Sequence, residues 1–178
     1  MKPAKRWVGG QYRYWAPAFA VLAIAWLASA AFANVATFAP AGEHLSVQMP
    51  PNPAQKDTEV AGTKIREWTA TDSGFFYLVQ HGVHAGTVFQ PAQLDADLKD
   101  FVSGTKCTVT AQQRTTAPGP NGPLPALRFS FKMPNGAPGE GLWTITGDKA
   151  FGAIVLAQTK AGRRQPMASF INSLRIVN

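Results

Sequence analysis

From Phe75 to Val79 the chain carries five apolar, β-favouring residues in succession, Phe75, Phe76, Tyr77, Leu78 and Val79, the longest such run beyond the N-terminal segment. Successive side chains of a strand point to opposite faces, so a strand apolar at both parities needs cover on both sides. The pattern predicts an interior strand over 74–81, with the chain packed around it, running into a turn at Gly82, Val83 and His84. That turn would deliver His81 and His84 to one exposed corner.

Other stretches show one-sided patterns. Leu45, Val47 and Met49 alternate with Ser46 and Gln48, a strand with one buried face that Pro50, Pro51 and Pro53 stop. Residues 56–61 and 63–70 flank Gly62 as a hairpin, with Ile65 and Trp68 as its apolar weight. After a short extended piece at 87–89, Leu94, Leu98, Phe101 and Val102 recur at helical spacing behind Pro91. Asp95, Asp97, Lys99 and Asp100 take the outer arc of that helix and Gly104 the C-terminal cap. Residues 106–116 and 124–133 read as strands around a Pro/Gly turn at 117–123; in the second, Leu127, Phe129, Phe131 and Met133 share one parity. Residues 141–146 and 150–158 form a further hairpin around Gly147 and Asp148. Met167, Phe170, Ile171 and Leu174 then mark a closing helix behind Pro166.

Several strands, a helix, four strands and a helix do not make the β-α-β alternation of a parallel sheet. The order implies an α+β domain, a mostly antiparallel sheet with a helix on each face. Two helices so placed would cover the double-sided strand at 75–79.

The N-terminus changes the charge picture. Lys2, Lys5, Arg6 and Arg13 precede an apolar run over 16–33, and the first acidic residue is Glu43. Small residues stand at two A-x-A sites, 28–30 and 31–33, so residues 1–33 read as a secretory signal peptide. The rival is a retained membrane anchor, for which the run is just long enough. Many of its residues are Ala and one is Pro17, which favours cleavage. Either way the remainder is exported, to the periplasm or beyond, or held at the inner membrane facing the periplasm. Residues 34–42 read as a linker and 43–178 as the folded domain. The formal charge is +7, but taking away the four N-terminal basic residues leaves +3, with no basic stripe for nucleic acid. Cys107, the single cysteine, alternates with Val109 and Ala111 and reads as a small buried hydrophobe; an intermolecular disulfide or a reactive thiol is the minority reading.

Candidate chemistry is sparse. His81 and His84 offer two imidazoles to a divalent metal, with His44 the only further histidine, and no H-E-x-x-H or C-x-x-C completes a ligand set. The acidic Asp95, Asp97 and Asp100 do not match a calcium loop. No nucleophile elbow or phosphate loop is present, and Glu43, Glu59, Glu67, Asp72 and Glu140 show no spacing that nominates a pair. Lys160, Arg163 and Arg164 cluster ahead of the last helix, where a phosphate or carboxylate could dock; a hydrated basic turn is the plainer reading.

Four short motifs bring in a family. The strand Glu43–Pro50 resembles the opening "F-S-V-x-M-P" of exported bacterial PsbP-like domains, and Gly122–Phe129 resembles their "G-x-P-x-x-x-F" entry to a middle strand. Asp148–Phe151 is similar to their late hairpin turn, and Phe170–Ile176 to their closing "F-x-x-S-F-x-L", with Leu45 and Leu174 standing where Phe is usual. The resemblance spans Glu43 to the C-terminus. It implies an α/β/α sandwich whose central sheet of about six to seven strands carries two helices, a fold shared with a photosystem II extrinsic subunit and a Ran release factor. Those relatives act by binding partners, share no active site and lend this chain no catalytic residue. The expectation is therefore an exported, non-catalytic binding or assembly module, with no resident cofactor and an envelope protein as partner. A small-ligand or metal binder using the His81/His84 loop and a hydrolase with a dispersed site are the alternatives.

Overall fold

The structure, a computed structural model, describes residues 35–159 and 164–178. The expected signal segment 1–33 lies outside them. The elements run β1 (Ala36–Phe38), β2 (Leu45–Met49), β3 (Ala54–Val60), β4 (Thr63–Asp72), β5 (Phe75–His84), α1 (Gln93–Thr105), β6 (Thr108–Gly119), β7 (Gly122–Lys132), β8 (Pro138–Thr146), β9 (Lys149–Ala157), α2 (Arg164–Ser173) and β10 (Arg175–Ile176). The fold is α+β. Seven strands form one antiparallel sheet in the order β3-β4-β5-β9-β8-β7-β6, and β1-β2-β10 form a small second sheet.

Two apolar layers sandwich the large sheet. On one side α1 sets Leu94, Leu98 and Phe101 against Leu78, Phe129, Phe131, Trp143 and Ile154. On the other, β2 and α2 bring Leu45, Val47, Met49, Met167, Phe170, Ile171 and Leu174 onto Trp68, Tyr77, Val79 and Phe151. The interior strand expected at 75–79 is β5: Phe75, Tyr77 and Val79 enter the second layer, Phe76 and Leu78 the first. Close contact with β7 explains the glycines of β8. A Cβ at Gly141 would stand 2.2 Å from the Phe129 ring and one at Gly139 2.3 Å from that of Phe131. Only a bare backbone lets those rings lie flat across the neighbouring strand.

Several elements depart from their expected limits. The turn assigned to Gly82–His84 is strand, because β5 keeps pairing with β4 as far as Thr63 opposite His84. The Pro/Gly stretch at 117–123 is mostly ladder, since β6 and β7 stay paired up to Gly119 opposite Gly122. Ala36–Phe38, within the expected linker, pairs with β2 and sets Phe38 edge-on to Trp68 at 5.6 Å. At the end of α1 the left-handed cap is Lys106, φ 58°, whose N–H donates to Val102 O, so the helix outlasts Gly104. Asp97, expected on the outer arc, is buried on the helix's inner side and accepts from Gln93 Nε2 at 3.0 Å. Cys107 is buried as expected, and burial pushes its thiol pKa up. Ala111 is exposed instead of inward, because a bulge between Val109 and Ala111 shifts the alternation by one. Among the described residues no helix is long and apolar enough to cross a membrane.

Candidate functional site

The charged side chains of the β3–β4 hairpin form a regular pattern. Asp57 and Glu59 on β3 stand opposite Arg66 and Lys64 on β4, and all four share a parity. Side chains of one parity stand on one face, so the hairpin presents two opposite-charge pairs on the side covered by β2 and α2. Continuing across the sheet, one row reads Asp57, Arg66, His81, Phe151 and the next Glu59, Lys64, Val83, Lys149. All of these but Phe151 floor a groove of about 620 Å³ walled by Gly42, Glu43 and His44.

The wall is held by its backbone. Gly42 at φ 79° and His44 at φ 57° both take the left-handed conformation, and Glu43 N–H donates to Pro40 O at 3.2 Å. Val177 N–H donates to His44 O at 2.9 Å and ties the wall to the C-terminus. This tight turn drops the Glu43 carboxylate onto the sheet. There it accepts from Arg66 on one oxygen and contacts His81 Nδ1 at 2.7 Å on the other. Arg66 uses its other edge on Asp57, Nε at 2.9 Å and Nη2 at 2.8 Å, a fork that a planar guanidinium suits. One arginine thus links the edge strand, its neighbour and the wall.

His81 is almost wholly buried, its ring stacked on Phe151 at 4.6 Å and parallel within 1°. Burial lowers its pKa, and the hydrogen bond and charge of Glu43 oppose that only in part. The neutral ring therefore donates Nδ1–H to Glu43. Its Nε2 is buried and has no hydrogen-bond partner among the described residues. The hydrogen bonds to Arg66 hold Asp57 below the usual carboxylate range, and the same contact raises Arg66 above the ordinary guanidinium value.

The two histidines singled out from the sequence are not brought together. Residues three apart on a strand face opposite ways, so His81 lies in the groove layer while His84 points to the α1 side, where its Nδ1 is 2.8 Å from Thr63 Oγ1. Among the described residues no group of three or more His, Cys, Asp and Glu side chains is placed to hold a metal ion. Lys160 and Arg163 lie outside the described residues. Arg164 opens α2, and its side chain lies outside them too.

Glu43, Asp57 and Arg66 were not assembled as a site from the sequence. Part of the signal was there: acids at 57 and 59 and bases at 64 and 66 are symmetric about the Ala61–Gly62 turn. The same is true of the second polar feature, Glu67 and Gln80, adjacent in register on the α1 face. Glu67 is buried, and burial pushes its pKa up to about 7 against the weaker pull of Lys56. Oε1 of Glu67 and both amide atoms of the buried Gln80 have no hydrogen-bond partner among the described residues. No protein-family model matches this chain, and no curated protein matches it.

Proposed function

We propose that this chain is an exported, non-catalytic binding module of the cell envelope and that the groove walled by Gly42–His44 is where it takes its ligand. The observation that carries this reading is the groove itself, about 620 Å³ of space over a floor of mutually engaged polar groups. Sites that recognise small molecules are concave and largely preformed, with few polar groups fixed in place. Glu43, Arg66 and Asp57 meet that description, since each is held by its neighbours. The Glu43–His81 pair resembles the carboxylate–imidazole unit of a hydrolase. Its free nitrogen is sealed from solvent, however, and a general base must reach the proton it removes. The PsbP-like resemblance supports the same class, since that fold serves by binding, and the N-terminal signal pattern supports placement in the periplasm or outside the cell.

The test is a screen of small carboxylates, phosphates, amines and sugars against the isotope-labelled protein, read by amide chemical shifts, beside a panel of ester and peptide substrates. Binding should move the amides of Glu43, Lys64, Arg66 and Val83, with no substrate turned over. Hydrolysis of an ester or peptide that Glu43→Gln abolishes, with those amides unmoved by every compound, would overturn the reading.

A further inference from the structure

Among the described residues the groove holds three cations, Lys64, Arg66 and Lys149, and three carboxylates, Glu43, Asp57 and Glu59, so it is balanced by count but not by position. Glu43 is nearly buried, 12% exposed, and its two oxygens are taken by Arg66 and His81. Glu59 stands at the edge strand, opposite Lys64 and away from β9. Lys64 and Lys149 are the register partners of Val83 on its two sides. At a strand spacing of about 4.8 Å, their Cα atoms are about 10 Å apart on one face, with an apolar side chain between them. Arg66 lies two residues from Lys64, about 7 Å along the same strand and on the same face. Neither lysine makes an ion pair among the described residues. Among the described residues the outer edge of Arg66 is occupied only by Asp57, whose side chain is 54% exposed.

We propose that the groove takes a small diacid, a dicarboxylate or a phosphorylated carboxylic acid, with one acidic group between Lys64 and Lys149 over Val83 and the other at the outer edge of Arg66. Asp57 is then the internal competitor: it occupies the guanidinium fork with a carboxylate of the chain's own, and the ligand's acid displaces it. An exposed side chain can swing away at small cost, whereas Glu43 on the inner edge stays and keeps Arg66 aimed into the groove. A fork that matches a carboxylate matches a phosphate equally, so the two acid types share one geometry. The proposal rests on the groove being the ligand site.

Titrations of succinate and of phosphoglycolate at low ionic strength, followed by the amides of Lys64, Val83 and Lys149, test it. Putrescine and glycerol serve as the cationic and neutral controls. Asp57→Asn should tighten succinate or phosphoglycolate about twofold to fivefold, the range that removing one exposed ion pair supports. Lys64→Gln and Lys149→Gln should each weaken binding by a similar factor, whereas Lys99→Gln, the same charge loss on the exposed side of α1, should not. Raising the salt to 0.15 M should weaken the wild-type interaction, because exposed charges are screened beyond about 8 Å there. If only one of the two anions binds in this way, it identifies the acid group of the ligand. Equal loss in Lys149→Gln and Lys99→Gln would reduce the effect to net charge and overturn the proposal. Groove shifts with putrescine or glycerol but with neither anion would overturn the diacid while leaving a binding groove. No groove shift with any of the four, in wild type or Asp57→Asn, would remove both.

Discussion

Burial of Glu67 makes the stability of this domain depend on pH in a way that one substitution isolates. Its carboxyl has an ordinary pKa of 4.5 and about 7 in the fold, with desolvation as the leading cause. A carboxyl raised in this way favours the folded state while it is protonated, so its contribution is complete below pH 4.5. It is lost as the pH climbs through 7, because the unfolded chain releases the proton first. At about 1.4 kcal/mol per pH unit, the span from 4.5 to 7 is worth about 3 kcal/mol, a large part of a domain's net stability. His81 runs the opposite way: with its pKa lowered by burial, its contribution is present above 6.5 and is lost as the pH falls below that value. The comparison of wild type with Glu67→Gln cancels that term. Gln has nearly the same shape and no titration, so the two proteins should be close in stability at pH 4.5. By pH 8 the variant should be ahead by about 3 kcal/mol more than at pH 4.5. Urea unfolding followed by tryptophan fluorescence, with Trp68 and Trp143 both buried, reads the difference at each pH. A stability difference that stays flat from pH 4.5 to 8 would refute the burial of this carboxyl.

Phe101→Ala removes a ring that meets Phe129, Phe131 and Trp143 edge-on at 5.5, 5.0 and 5.7 Å, and it should cost about 3–5 kcal/mol of unfolding free energy in urea. Gly141→Ala would force the Phe129 ring out of a place fixed by Phe101 and Trp143, so a loss of about 1–3 kcal/mol is expected; a neutral result would mean the ring has room to move. Glu43→Gln removes the negative charge that opposes the effect of burial on His81, so the midpoint of that histidine in an NMR titration should fall further, and an unchanged midpoint would refute that charge contact. Because His81 and His84 face opposite sides of β5, calorimetric zinc titration should give the same weak response for wild type and for the His81→Ala, His84→Ala double variant. Stoichiometric binding lost only in the double variant would show that one ion recruits both.

Periodicity made most of the frame legible. The two-sided run at 75–79, the one-sided strands at 45–49 and 124–133 and both amphipathic helices could be read from the spacing of apolar residues, because burial acts on each segment locally. Positions went astray where pairing with a distant segment decided the outcome. Proline and glycine at 117–123 look like a loop until β7 supplies the ladder that holds them, and Ala111 looks inward until a bulge turns it out. Asp97 lies toward the sheet although its charge assigned it to solvent.

The chain alone marked most of the strands and both helices, required that the sheet be covered on both faces, and set acids and bases symmetrically about the turn of the β3–β4 hairpin. Those are consequences of alternation over a few residues and of symmetry about one turn. Tertiary structure decided that Glu43, Arg66 and His81 share a site, since Glu43 comes from a turn 23 residues from Arg66 and 38 from His81. It also separated the two histidines that lie three apart in sequence. A strand sends neighbouring residues to opposite faces, and only the folded sheet says which distant side chain each face will meet.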